Sequence, residues 1–282
     1  MQNKIEFKKA RDFGEMIGDT FVFIKQNFKP LMRTLLYLTG FFFLAAILAT
    51  MFQQLDMRKE VWGSGYMDPT NLSMGMAVKS LTAMVFMLLT YTALYVTVLS
   101  YVDLYVQKGN VAPDNSEVWA YFRYYYFRLL GSSLLWTIIL VIAFVLLVIP
   151  AIYLWPIMVL FMPVMVMENT SFDKGMSRSF KLLKGQWWAS AGTLLVSFLI
   201  TAATSLVVSV PNSFLNILNT FSPESRGGSN LTIILSSILQ HLPALFSVIP
   251  IITSALLYYS LVEKQENAGL LDRIDKFGEE PL

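Results

Sequence analysis

The sequence predicts an all-α fold: a polytopic membrane helix bundle of six transmembrane helices, arranged as three hairpins with cytoplasmic interfacial amphipathic helices. Three observations predict it. Of 282 residues, 55% are hydrophobic and 14% charged, where an ordinary soluble domain carries about 25% charged residues. The mean hydropathy is +0.56. The apolar residues are gathered into tracts of about 20 or more, the length that crosses roughly 30 Å of hydrocarbon.

The elements follow in order, within one integral membrane domain over residues 1–282. Residues 1–11 are polar, without the short apolar core and small-residue cleavage site of a removable signal. An interfacial helix is expected at about 9–29. On a helical wheel Phe13, Met16, Ile17, Phe21, Ile24 and Phe28 share one face, and Arg11, Glu15, Asp19 and Lys25 the other. Span 1 fits 35–52 and span 2 fits 81–101. Asp114 with Glu117 starts a helix with the face Val118, Tyr121, Phe122 and Tyr125, which runs on into span 3.

The tract 129–167 is too long for one crossing at about 1.5 Å per residue. Pro150 divides it into spans at 129–149 and 151–167, joined by a tight turn, and Pro156 and Pro163 are expected to kink the second. Thr170 with Asp173 resembles a capping box. The helix it opens has an apolar face of Phe172, Met176, Phe180 and Leu183, with Lys174, Arg178, Lys181 and Lys184 opposite and Gly185 as its stop. Span 5 fits 187–210 and is ended by Pro211. The last apolar region divides into a short outer helix over 231–240 and span 6 at 243–262, or forms one tilted helix kinked at Pro243 and Pro250. A cytoplasmic tail occupies 263–282.

Basic residues set the orientation. With the N-terminus inside, 17 of the 21 Lys and Arg residues fall on the cytoplasmic side. Only Arg58, Lys59, Lys79 and Arg226 fall outside. An even number of spans then leaves both termini cytoplasmic. Phe28, Phe127 and Trp187 each stand seven residues before a leucine pair (at Leu35, Leu134 and Leu194). This is either a threefold repeat of interfacial helix plus hairpin, or the general preference of membrane entry points for aromatic and basic residues.

One stretch carries a resemblance. Ile149-Pro150-Ala151-Ile152-Tyr153, then Glu168, Ser179 and Leu182-Leu183-Lys184-Gly185, resemble the signature of a broad group of prokaryotic six-span proteins. That group includes the membrane domain of some glycerophosphoryl diester phosphodiesterases. Ala151 stands where the group has glycine, and Leu257-Tyr258-Tyr259 fits its usual ending. The resemblance covers 146–187 plus that ending. It implies a bacterial cytoplasmic (inner) membrane protein. It does not imply phosphodiesterase activity, which in that family belongs to a separate soluble domain.

Chemistry inside a bilayer requires polar groups in the spans, and few are present. Asp103 lies at the cytoplasmic end of span 2, where pairing with a base of a neighbouring interfacial helix is expected. Gln240 and His241 stand at the outer end of span 6, either solvated or handling a headgroup or proton. Span 5 carries Ala189, Thr193, Ser197, Thr201, Ser205 and Ser209 at every fourth position. This is a row for helix packing, or for a subunit interface or pore lining. Lys174, Arg178, Lys181 and Lys184 are candidate contacts to anionic lipid headgroups. The chain has no cysteine and one histidine, which removes disulfides, thiolate chemistry and His-rich metal sites. No catalytic residue, cofactor or metal site is predicted, and a net charge of +2 points to no nucleic acid. Asn71-Leu72-Ser73 and Asn230-Leu231-Thr232 are glycosylation acceptors in form only.

The expected function is a non-enzymatic scaffold or partner subunit of a membrane assembly, in contact with lipids and forming homo-oligomers or hetero-oligomers. The alternatives are a transporter or channel for a small or amphipathic solute, and a lipid-modifying enzyme.

Overall fold

A computed structural model describes residues 4–62, 69–146, 148–221 and 229–266. Arg226, Arg273, Lys276, the tail from 267 onward and the side chains of Asn71 to Ser73 lie outside the described residues. The described chain is helical and contains no strand. Its helices are α1 (Phe13–Trp62), α2 (Pro69–Gln107), α3 (Asn115–Leu146), α4 (Val148–Met167), α5 (Phe172–Leu183), α6 (Trp187–Phe221), α7 (Asn230–His241) and α8 (Val248–Glu266). A 3-10 helix, Leu242–Ser247, joins the last two. Six helical stretches are long and apolar enough to cross a membrane.

Several boundaries differ from expectation. No break separates an interfacial helix from span 1, because α1 runs unbroken for 50 residues through Pro30. Pro150 does not make the turn of the α3–α4 hairpin. Helix α3 ends at Leu146 and α4 begins at Val148, so Pro150 sits in the first turn of α4, where its missing N–H has no helical partner to lose. Pro250 occupies the same place in α8, after the same Val-Ile pair. Pro211 does not stop α6, which continues to Phe221. One lost backbone bond in a long helix is offset by the rest. The segment 230–241 is an α-helix that continues through the 3-10 turn holding Pro243 into α8, and the last stretch able to cross a membrane is Asn230–Glu266 as a whole.

The chain forms two compact units. The first contains residues 1–38, 95–199 and 248–282. Its centre is α8, buried from Val248 to Tyr258 and again at Ser260 and Leu261. Helix α1 packs on α8 with Thr20 Oγ1 3.1 Å from Thr253 Oγ1. Ahead of α1 the chain is not helical, yet Phe7 is 1% exposed. Its ring meets Phe23 at 5.1 Å and Tyr259 at 5.6 Å. Arg11 is buried beside it. Its guanidinium donates to the carbonyls of Phe7 and Lys9 at 2.8 and 3.1 Å, to that of Glu6, and to Asp19 at 2.8 Å. Its backbone N–H donates to Ser260 Oγ at 2.9 Å.

Helices α3 and α4 run antiparallel in this unit. Arg128 bonds Thr170, Ser132 Oγ lies 3.4 Å from Met165 Sδ, and Trp136 meets Phe161 at 5.8 Å, so one partner number falls as the other rises. Asp114 and Glu117 open α3 as expected. The Asp114 N–H donates to Glu117 Oε2 at 2.7 Å, and the Ser116 hydroxyl on its side chain holds the Asp114 carboxyl below the usual range.

The second unit contains 39–94 and 200–247. Ser229 caps α7 by accepting from Thr232 N at 3.2 Å. Arg58 donates to Asn230 Oδ1 at 3.0 Å. Large apolar side chains such as Phe41, Leu44, Met84 and Val207 stand exposed along its helices, as lipid-facing surfaces do.

Candidate functional site

Helix α5 holds Lys174, Arg178 and Lys181 among its twelve residues, and what fixes it is visible residue by residue. Asn169, at φ 47, turns the chain out of α4. Ser171 is the N-cap, without a side-chain capping bond, so the expected capping box at Thr170 and Asp173 does not form. The end is as expected: Gly185 at φ +78 provides the left-handed stop after Lys184.

The face that packs is Gly175, Ser179, Leu182 and Leu183. Phe172, Met176 and Phe180 are only half-buried, so the packing face is displaced from the most apolar one. Gly175 explains the displacement. A Cβ there would lie 3.0 Å from the ring of Phe161, so α4 approaches as closely as glycine allows.

A five-membered cluster clasps α5 to its neighbours. Arg178 Nε donates to Glu168 Oε1 at 2.8 Å, and Nη1 to Glu266 Oε1 at 2.5 Å. The Tyr258 hydroxyl donates to the same Glu168 oxygen at 3.0 Å. Gln265 Nε2 donates to the carbonyls of Leu182 and Lys181 at 2.8 and 3.2 Å. The hydrogen bond to Glu266, then that to Glu168, raises the Arg178 pKa and keeps its charge fixed. Of the four candidate headgroup contacts, Arg178 is therefore engaged by two carboxylates. Lys174, Lys181 and Lys184 stand exposed. A cavity of about 410 Å³ is lined by Lys174 and Lys181 together with Glu168, Thr170, Asp173, Ser177 and Arg178.

The remaining candidates are dispersed. Asp103 is 5% exposed, but its hydrogen-bond partner is Gln107 at 2.9 Å, one turn along its own helix, and not a base. In the second unit His241 Nε2 lies 2.9 Å from Thr50 Oγ1, while neighbouring Gln240 is exposed. The α6 row has no single environment. Thr193 and Ser197 are buried, Ala189 is exposed, and Thr201, Ser205 and Ser209 are half-buried. The Thr193 and Ser197 hydroxyls donate to the carbonyls of Ala189 and Leu194 in their own helix. Among the described residues no three His, Asp or Glu converge where a metal ion would sit.

One feature escaped the sequence. A groove of about 840 Å³ lies between α3, α4 and the first turns of α6, with Leu140, Phe144, Trp155, Trp187 and Trp188 in its wall. Trp187 stacks on Tyr153 at 5.6 Å and donates from Nε1 to the Tyr153 carbonyl at 3.2 Å. Trp155 meets Phe198 at 5.5 Å. The Trp187-Trp188 pair just after Gly185 was the available signal.

Compared with known protein families, with curated proteins and with solved structures, the chain gives no match. What the fold and these surfaces define is an all-α, multi-pass integral membrane protein.

Proposed function

We propose that this protein is a non-enzymatic scaffold or partner subunit of an assembly in a bacterial inner membrane, with both termini cytoplasmic. The basic face of α5 is its docking platform. The observation that carries the reading is the clasp. Arg178, Glu168, Tyr258, Glu266 and Gln265 hold α5 in place, while Lys174, Lys181 and Lys184 stay exposed. A helix that served only as a topogenic signal would need its charges but no such fixing. The placement of 17 of the 21 basic residues on one side supports the orientation. The likeness of 146–187 to prokaryotic six-span proteins supports the membrane.

The test is crosslinking in native membranes followed by affinity purification, with the double substitution Lys174→Glu and Lys181→Glu. The expected result is at least tenfold less of the copurifying membrane partner, with the thermal transition unchanged. An unaltered partner set, or solute flux through vesicles containing the purified chain alone, overturns the reading.

A further inference from the structure

We infer that the groove between α3, α4 and α6 holds one acyl chain of an anionic phospholipid, with Lys184 at its headgroup. The proposal rests on the reading above only for which leaflet supplies the lipid. Three observations carry it.

The first is the chemistry of the wall. Its side chains are apolar apart from Thr137 and the indole nitrogens. The Thr137 hydroxyl donates to the Ser133 carbonyl at 2.8 Å, and the Trp187 N–H to that of Tyr153. A water needs about two to four polar partners to occupy a cavity; with Thr137 and Trp187 committed, only the indole N–H groups of Trp155 and Trp188 are left in the wall, too few to hold one. In a bilayer the occupant that such a wall admits is hydrocarbon.

The second is how the hollow arises. Ala151, Ala191 and Gly192 supply little side chain at its floor. A Cβ on Gly192 would meet nothing within 4 Å, so the space reaches the α6 backbone.

The third is charge. Lys184 stands three residues before Trp187 and Lys181 six, across the turn at Gly185 that joins α5 to α6, and both lysines are exposed. Arg178, one turn further back, is neutralised by Glu168 and Glu266. Residues 174–221 contain no Asp or Glu. The tryptophans at this end are the side chains that settle at headgroup level. A chain in the groove therefore meets uncompensated cationic charge where its phosphate emerges.

Native mass spectrometry in mild detergent tests this, with phosphatidylglycerol and phosphatidylcholine of matched chains as probes. Wild type should retain one phosphatidylglycerol in at least tenfold preference to phosphatidylcholine. Gly192→Leu, which fills the hollow without a backbone clash, should lower that retention about tenfold and leave the thermal transition in place. Ala151→Leu fills it from the α4 side and serves if the first variant misfolds. Lys184→Gln should abolish the preference while phosphatidylcholine still binds. Equal retention of the two lipids by wild type overturns the proposal, as does undiminished retention in both filled variants. A chain that keeps its lipid but has no membrane partner sinks the scaffold reading and leaves this one standing.

Discussion

At the scale of single residues, two positions bear more than their neighbours. Gly175 has no room for a side chain, because its Cβ would stand 3.0 Å from both the Phe161 ring and Thr170 Oγ1. Phe161 is fully buried and has little freedom to yield. Gly175→Ala should cost roughly 1 kcal/mol and Gly175→Leu about 3 kcal/mol, as overpacking does. Thermal unfolding in detergent reads both. Arg11 is the second. Its guanidinium satisfies three carbonyls and one carboxylate, so Arg11→Ala leaves several of them without a partner. The expected loss is on the order of 3 kcal/mol. Arg11→Lys should recover only a fraction, since one ammonium cannot reproduce the fork.

At the scale of elements, the helices bury the faces that fit, which are not the most apolar ones. In α1 the buried line is Met16, Thr20, Phe23 and Asn27, while Phe13, Phe21 and Phe28 face outward. In lipid no hydrophobic force drives helices together, so small and polar residues pack inward and large apolar ones meet the tails. The wheel's apolar face is therefore not the packing face: Phe13, Phe21 and Phe28 stay exposed, as a face expected to lie in the interface would, and Met16 is buried. The same rule sorts the α6 row. Ser197 is 0% exposed and Ala189 is exposed. Ser197→Leu should destabilise by about 1–3 kcal/mol, and Ala189→Leu by less than about 0.5 kcal/mol. Equal tolerance would show that the row does not pack. The clasp belongs to this scale too. Arg178 and Glu266 are 25% and 42% exposed, so a double-mutant cycle should give a coupling of only about 0.5–1 kcal/mol. Its larger effect is positional: Arg178→Gln should speed limited proteolysis within 168–186.

At the scale of the whole molecule, the helical, multi-pass character was legible because length and hydropathy alone decide it. The helix starts at Asp114 and the stop at Gly185 were legible because caps are local chemistry. The interior of the first unit was not. Phe7 and Arg11 lie in a non-helical segment with no period to reveal them, and their partners are some 250 residues away. Nor was the central place of α8, whose sequence reads like any other span. The groove required α3, α4 and α6 to come together, which no single segment encodes.

The stack of Trp187 on Tyr153 also bears on depth. Trp187 follows Lys184 by three residues, and a lysine cannot sink far from the headgroups. Tyr153 stands level with it, and Ile149 is only four residues further toward the α3–α4 turn, about 6 Å along a helix. This depth predicts, against the reading of α3 and α4 as two full crossings, a turn that stops inside the bilayer and a hairpin that enters and leaves by one face. The charge rule is blind to the difference, because 129–167 contain no charged residue and removing two crossings keeps both termini on one side. A chain without cysteine makes the measurement direct. With Ile149→Cys as its single thiol, the protein should resist an impermeant maleimide applied from the periplasmic side. Rapid labelling there would mean that the turn passes through.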